Sequence, residues 1–276
     1  MWNHCLLSLR VRVLDQKQYK VFDISMSDKA LVAIIGGSGL TEYPGLTEVE
    51  TLTVETPLGL PSGKIVKGKL NGCDVVFLAR HGHPHSLPPH KINYRANLLA
   101  LQQLGVTEII AVNAVGGITE NMDSECICIP DQIIDYTHGR EDTFFDGVFK
   151  SLDHVDFTFP YDPPLREALK TAAETAEIHV VMDGVYGATQ GPRLETIAEI
   201  NRMERDGCDL VGMTGMPEAV LARELNIPYA CLSLVVNKAA GKSDGLITMD
   251  EIYATLESGM QKVQEIIAAF CGNKVG

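Results

Sequence analysis

The densest group of side chains able to do chemistry is Leu78-Ala79-Arg80-His81-Gly82-His83-Pro84-His85, continuing to His90 and Asn93-Tyr94-Arg95-Ala96-Asn97. The chain is acidic, with 36 Asp and Glu against 23 Lys and Arg and a formal net charge of −13. Yet no Asp or Glu occurs from Val75 to Thr107, a span that holds Arg80, His81, His83, His85, His90, Lys91 and Arg95. A local positive field inside an acidic chain points to a small-anion site and away from a nucleic-acid surface. Arg80-His81 pairs a planar guanidinium fork with an imidazole, two groups suited to phosphate. His83 and His85 raise the question of a metal, but the acid-free stretch offers no carboxylate to complete such a centre, and none is expected. His- and Pro-rich sequence is also what an ordinary turn looks like, and three further segments point to the same kind of ligand.

Ala33-Ile34-Ile35-Gly36-Gly37-Ser38-Gly39-Leu40 predicts a strand running into a glycine-rich turn. Backbone N–H groups there can approach an oxyanion, and the Ser38 hydroxyl adds a donor. The segment lacks the Lys of a P-loop and the full GxGxxG spacing, so neither a Walker site nor a dinucleotide site is supported. By itself it is equally a tight structural turn. Gly212-Met213-Thr214-Gly215-Met216-Pro217-Glu218 leads straight into a helix. Thr214 can donate to the same anion while Met213 lies against a sugar face; an N-cap beside a core methionine fits the same residues.

The elements that must hold these groups follow from hydrophobic period. Strands are predicted at Leu31–Gly36, Val75–Ala79, Ile109–Ala114, Val185–Thr189, Leu210–Met213 and Tyr229–Asn237, and helices at Asn93–Leu104, Pro164–Ala176, Thr196–Asp206, Met216–Leu225 and Asp250–Phe270. The alternation predicts a single α/β domain with a mixed, largely parallel central sheet flanked by helices. The chemistry-bearing segments fall at strand ends, with Asn113-Ala114 and Asn237-Lys238-Ala239 among them. Carboxyl ends of strands are where α/β sheets gather ligands, so one convergent site is expected.

Bulk properties narrow the class. Apolar residues make up 45% of the 276, enough for a substantial core. No apolar run reaches the roughly 18–20 residues that span a bilayer. Seven scattered cysteines without a CxxC fit reduced thiols in a cytoplasmic enzyme better than a disulfide framework. Residues 1–25 do not match the rest. Their apolar pieces are broken by Ser8, Arg10 and Arg12, which makes a poor signal peptide. They are expected to be a poorly ordered extension or to lie upstream of a natural start at Met26, with the domain over residues 26–276.

Taken together, Gly36-Gly37-Ser38-Gly39-Leu40, Leu78-Ala79-Arg80-His81-Gly82, Asn93-Tyr94-Arg95-Ala96-Asn97, Gly191-Pro192-Arg193 and Met213-Thr214…Pro217-Glu218 resemble the trimeric purine nucleoside phosphorylase and methylthioadenosine phosphorylase family. The likeness runs from about Leu31 to the C-terminus and is greatest to the bacterial branch acting on methylthioinosine. The resemblance implies phosphate binding by Ser38, Arg80, His81, Asn113, Ala114 and Thr214. It implies sugar contact by Met213, purine contact by Glu195, Asn237, Lys238 and Ala239, and a 5′ pocket drawn from Met249 and from His154 of a neighbouring subunit in a homotrimer. Asn237, His81 and Ser38 would be the catalytic groups. Phosphate is then a co-substrate and neither an organic cofactor nor a metal takes part. The partners are a small nucleoside and phosphate, with no nucleic acid and no membrane.

Departures from the family pattern bear on the base. Methylthioadenosine phosphorylases carry Asp at the positions matching Asn237 and Ala239, and Ser at the one matching Glu195. A 6-oxopurine presents an acceptor at O6 and a donor at N1, the reverse of a 6-aminopurine. The Asn237 amide can donate to N7 or O6, and the Glu195 carboxylate can accept from N1–H. The expected reaction is phosphorolysis of a methylthioinosine-type nucleoside, with a general inosine and guanosine phosphorylase as the alternative and a methylthioadenosine phosphorylase behind both. A plain helix cap is the competing role for Glu195.

Overall fold

The computed structural model describes residues 30–37, Tyr43 and residues 45–275. The expectation for residues 1–25, and the Ser38 side chain, lie outside the described residues.

Alternate residues of β1 (Leu31–Gly36) serve opposite faces of one sheet. Ala33 and Ile35 belong to one buried cluster and Val32 and Ile34 to another, as the two-residue period of a strand requires. Helix α1 (Tyr94–Gln103) and helix α4 (Gly215–Glu224) cover the first face. Helix α2 (Pro163–Thr175) and helix α5 (Met249–Asn273) cover the second. Helix α3 (Ile197–Arg205) packs on a smaller cluster with Ile118, Val211 and Ala239. The expected mixed, largely parallel sheet is borne out: among the described residues six strand pairings are parallel and four antiparallel. Among the described residues no helix is long and apolar enough to cross a membrane.

The sheet's centre is β5 (Glu108–Gly117). Beside it run β1 and β11 (Tyr229–Lys238), both parallel to it, with β4 (Cys73–Ala79) beyond β1. On its far half β5 pairs antiparallel with β10 (Leu210–Gly212), in register Leu210↔Gly117 and Val211↔Gly116. Because β10 runs backwards along β5, its last residue returns toward the middle of that strand. Gly212-Met213-Thr214 therefore arrives beside Asn113-Ala114. Strand β9 (Val185–Ala188) lies parallel to β10, pairing Ala188 with Gly212, and brings Thr189 to the same level.

All six expected strands and all five expected helices are present, within a few residues at the ends. The structure adds β2 (Thr47–Leu52), β3 (Ile65–Leu70), β6 (Ile127–Ile129), β7 (Gln132–Asp135) and β8 (Val181–Met182). Strand β2 is exposed along almost its whole length, so no buried-face period marks it. The other omissions are mostly too short to show one.

Candidate active site

Strand β5 is buried along its length except at Ala114, which is exposed between buried Asn113 and Val115. An exposed residue in the middle of a central strand is the floor of an opening. Around it stand the ends of β1, β4, β9, β10 and β11. The Arg80 backbone N–H donates to the Gly36 carbonyl at 2.8 Å, so the turn after β4 is stitched to the turn after β1.

Thr214 is buried at the N-terminus of α4, and its hydroxyl makes no capping hydrogen bond. The cap role offered by the sequence is therefore unfilled, and the hydroxyl remains available to a ligand. The Asn113 amide is 3% exposed and its Oδ1 has no partner among the described residues. An unpaired buried amide oxygen beside an uncommitted hydroxyl on the neighbouring element marks the spot, since buried polar groups are normally paired.

Arg80 needs correction. The guanidinium, expected to fork onto phosphate, forks onto Glu218 instead: Nε donates to Oε2 and Nη2 to Oε1, each at 2.7 Å. Nη1 donates to the Val112 carbonyl at 3.0 Å and Nη2 to that of Ile35 at 3.3 Å. Four of the five N–H groups of an arginine are thus occupied, which leaves a single Nη1 donor for an anion. Burial works against the charge, but the Glu218 carboxylate outweighs it and holds the guanidinium ionised.

His81 donates Nδ1–H to the Leu87 carbonyl at 2.8 Å, and its ring stacks on His85 at 4.2 Å. Burial, with help from the charges of Arg80 and His85 and against the Leu87 bond, pushes its pKa down to about 4. At neutral pH it is therefore an uncharged imidazole whose Nε2 can accept a hydrogen bond from an O–H group such as that of monohydrogen phosphate. His83 and His85 are exposed, and among the described residues no three His, Cys, Asp or Glu are grouped to hold a metal ion.

Glu195 is half-buried and its Oε1 accepts the Thr189 hydroxyl at 2.7 Å. It does not cap α3. That role belongs to Thr196, which closes a capping box with Glu199, so the competing explanation for Glu195 is removed. A register shift between Val235 and Asn237 interrupts the pairing of β11 with β5. Such a bulge re-aims the residue that follows it, here Asn237, whose Nδ2 donates to the Lys238 carbonyl at 2.7 Å. Ala239 is buried. Lys238 is a second correction: its ammonium is spent on Asp123 at 2.9 Å and on the carbonyls of Thr119 and Glu120, so the side chain does not serve a ligand.

Met213 is half-buried against Gly191. Gly191 has φ +59°, and a Cβ there would collide with the Met213 sulfur, so this turn needs glycine on both counts. His154 and Met249 are exposed within the subunit, His154 in an irregular segment and Met249 at the start of α5. Within one chain they are not drawn into the opening.

Two residues missed in the sequence organise the site. Glu218 appears there only as part of Pro217-Glu218, with no task. Arg140, in an irregular loop without periodic signal, donates to the carbonyls of Thr189, Gln190, Met213 and Met216 at 2.6–3.1 Å and to the Gln190 side chain at 3.2 Å. It ties the Glu195-bearing turn to the Met213-Thr214 turn.

A family model described as the phosphorylase superfamily matches residues 31–271. A probable S-methyl-5′-thioinosine phosphorylase of Pseudomonas syringae is 57% identical over 237 residues, covering 86% of this chain and 96% of that protein. A 6-oxopurine nucleoside phosphorylase of Pyrococcus furiosus is 46% identical over 243 residues, covering 86% and 91%. A methylthioadenosine phosphorylase from Schistosoma mansoni, solved with adenine, superposes with a TM-score of 0.83 at 32% identity, covering 88% of this chain and 91% of that one. The resemblance carried by the motifs is borne out, and the chain belongs to the phosphorylase superfamily.

Proposed function

We propose that this enzyme catalyses the reversible phosphorolysis of S-methyl-5′-thioinosine, giving hypoxanthine and 5-methylthioribose 1-phosphate. The observation that carries the reading is the 57% identity to a probable phosphorylase of that nucleoside, and the two base-side residues support it. Phosphate lies on Thr214, on Asn113 and Ala114, on the acceptor Nε2 of His81 and on the remaining Nη1 donor of Arg80; Ser38 completes the set from the turn after β1. An oxygen of phosphate attacks C1′ as the C1′–N9 bond breaks, and the bonding electrons pass to the base. The enzyme contributes placement of the nucleophile and hydrogen bonding to the charge growing on the base. Asn237 donates to N7 or O6, and Glu195 accepts from N1–H.

Adenine would set its N1 lone pair against Glu195 and its amino group against an Asn237 donor. Each unpaired buried group costs about 1–3 kcal/mol, so the two mismatches amount to large discrimination. The methylthio group packs near Met249 and near His154 of the adjoining subunit of a homotrimer, which fits their exposure within one chain. No organic cofactor or metal enters any step. The similarity to a 6-oxopurine nucleoside phosphorylase supports a second reading, in which inosine and guanosine are the principal substrates.

The test is a panel of methylthioinosine, methylthioadenosine, inosine, guanosine and adenosine, each with and without phosphate. Phosphate-dependent hypoxanthine release with the highest kcat/KM on methylthioinosine is expected. Inosine above methylthioinosine would transfer the assignment to the second reading, and adenine release as fast as hypoxanthine would remove both.

A further inference from the structure

Tyr186, on β9, is fully buried beneath the anion site and enters no step described so far. Its hydroxyl lies 3.5 Å from the Asn113 Nδ2 and 3.5 Å from the backbone N–H of Thr214. One phenol oxygen therefore touches both of the elements that present phosphate ligands. The chain is shaped to admit it. A Cβ at Gly212 would collide with the Tyr186 hydroxyl, and one at Gly215 would fall 2.9 Å from its ring. The two glycines that flank Met213-Thr214 leave room for this ring, so the turn and the tyrosine are fitted to one another.

Donors and acceptors do not balance as the amide stands. Among the described residues, two N–H groups point at the phenol oxygen, its own hydrogen has no acceptor, and the Asn113 Oδ1 is buried with no partner. A half-turn of the amide, which exchanges its donor and acceptor ends, settles both deficits. Tyr186 O–H then donates to Oδ1 while accepting from the Thr214 N–H, and Nδ2 is left with both hydrogens directed away from the tyrosine. Burial pushes the phenol up to about 12, so the hydroxyl keeps its proton to donate at neutral pH.

We propose that Tyr186 is a positioning residue of the anion site: its hydroxyl orients Asn113 so that the amide N–H2 faces the attacking phosphate, and it ties that amide to the Thr214 turn. The proposal rests on the reading of this site as the phosphate site. It explains why a polar aromatic is buried where packing alone would accept phenylalanine.

Tyr186→Phe keeps the ring against Gly212 and Gly215 and deletes only the oxygen. Its expected effect is a rise in phosphate KM of about 5- to 100-fold, the scale of leaving a buried polar group unpaired, with nucleoside KM at saturating phosphate within about twofold of wild type. Asn113→Ala should raise phosphate KM as well, and adding Tyr186→Phe to it should worsen that value by less than about threefold, because the tyrosine acts mainly through the amide. If Asn113→Ala raises phosphate KM while Tyr186→Phe leaves it unchanged, Tyr186 has no positioning role and the phosphate site stands. Multiplicative effects in the double variant, or equal rises in nucleoside and phosphate KM, would also overturn the proposal. If Asn113→Ala leaves phosphate KM unchanged, the phosphate reading itself fails and the role of Tyr186 fails with it.

Discussion

Arg80 and Glu218, 138 positions apart, form a two-pronged ion pair with both N···O distances at 2.7 Å and with exposures of 2% and 0%. The Tyr229 hydroxyl donates to the same carboxylate at 3.0 Å. The pair joins the end of β4 to the first turn of α4, the two elements that carry His81 and Thr214. Its main product is the relative placement of these two side chains, with one N–H of the guanidinium left over.

Arg80→Ala is therefore expected to act first on stability. It leaves a buried carboxylate with only the tyrosine as partner, at a cost of about 3–5 kcal/mol. Replacing both members, Arg80→Met with Glu218→Leu, should restore most of that loss while phosphate-dependent turnover remains low. Urea unfolding of the three proteins checks this, and a loss below about 1 kcal/mol for Arg80→Ala would contradict it.

His81 gives a pH signature. Its folded-state pKa of about 4 lies below the ordinary imidazole value of 6.5, so between those values the unfolded chain binds a proton that the folded chain refuses. Stability must then fall as pH drops from about 6.5 to about 4. Thermal melts across that window should show a shallower decline in His81→Asn than in wild type. Parallel curves would mean that the imidazole titrates normally in the folded protein.

Arg140→Lys removes the planar fork but keeps the charge. Lysine cannot reach the carbonyls of Thr189, Gln190, Met213 and Met216 together. Because the clamp sets the spacing between the Glu195 and Met213 turns, nucleoside KM should rise about tenfold or more and phosphate KM much less. Steady-state kinetics with each substrate varied in turn decide it; an effect confined to phosphate would place the clamp's role elsewhere.

Base choice is open to reversal. Asn237→Asp combined with Glu195→Ser should lower kcat/KM for methylthioinosine by at least about 100-fold, the scale of one lost transition-state hydrogen bond, and raise cleavage of methylthioadenosine from background. Asn237→Asp alone should lose the first activity and gain little of the second, since Glu195 still faces N1. A double variant that keeps its oxopurine preference would refute the assignment of both residues.

His154→Ala should raise KM for the 5′-methylthio nucleoside and leave phosphate KM unchanged, because the loss is in sugar binding. Sedimentation should give a trimer for both proteins. A fully active monomer would exclude a shared site.

The main framework is legible in the chain's own pattern. Long strands such as β5 and β11 and the amphipathic α5 declare themselves through period, and the motifs at their ends declare a site because glycine, arginine, histidine and threonine gather where strands stop. Thr214, Asn113 and Glu195 stand out as candidate ligand groups on that basis. Which way each group faces, and what it has left to offer, follows only from the assembled fold. Arg80 spends its fork on a carboxylate 138 positions away, Lys238 turns to the Thr119–Asp123 segment, and Arg140 gains its role from four carbonyls contributed by two distant turns. Hydrophobic period records which side of an element is buried, and so it survives in local sequence. Hydrogen-bond partnership between side chains depends on elements that meet only after the sheet has formed, and no local pattern encodes it.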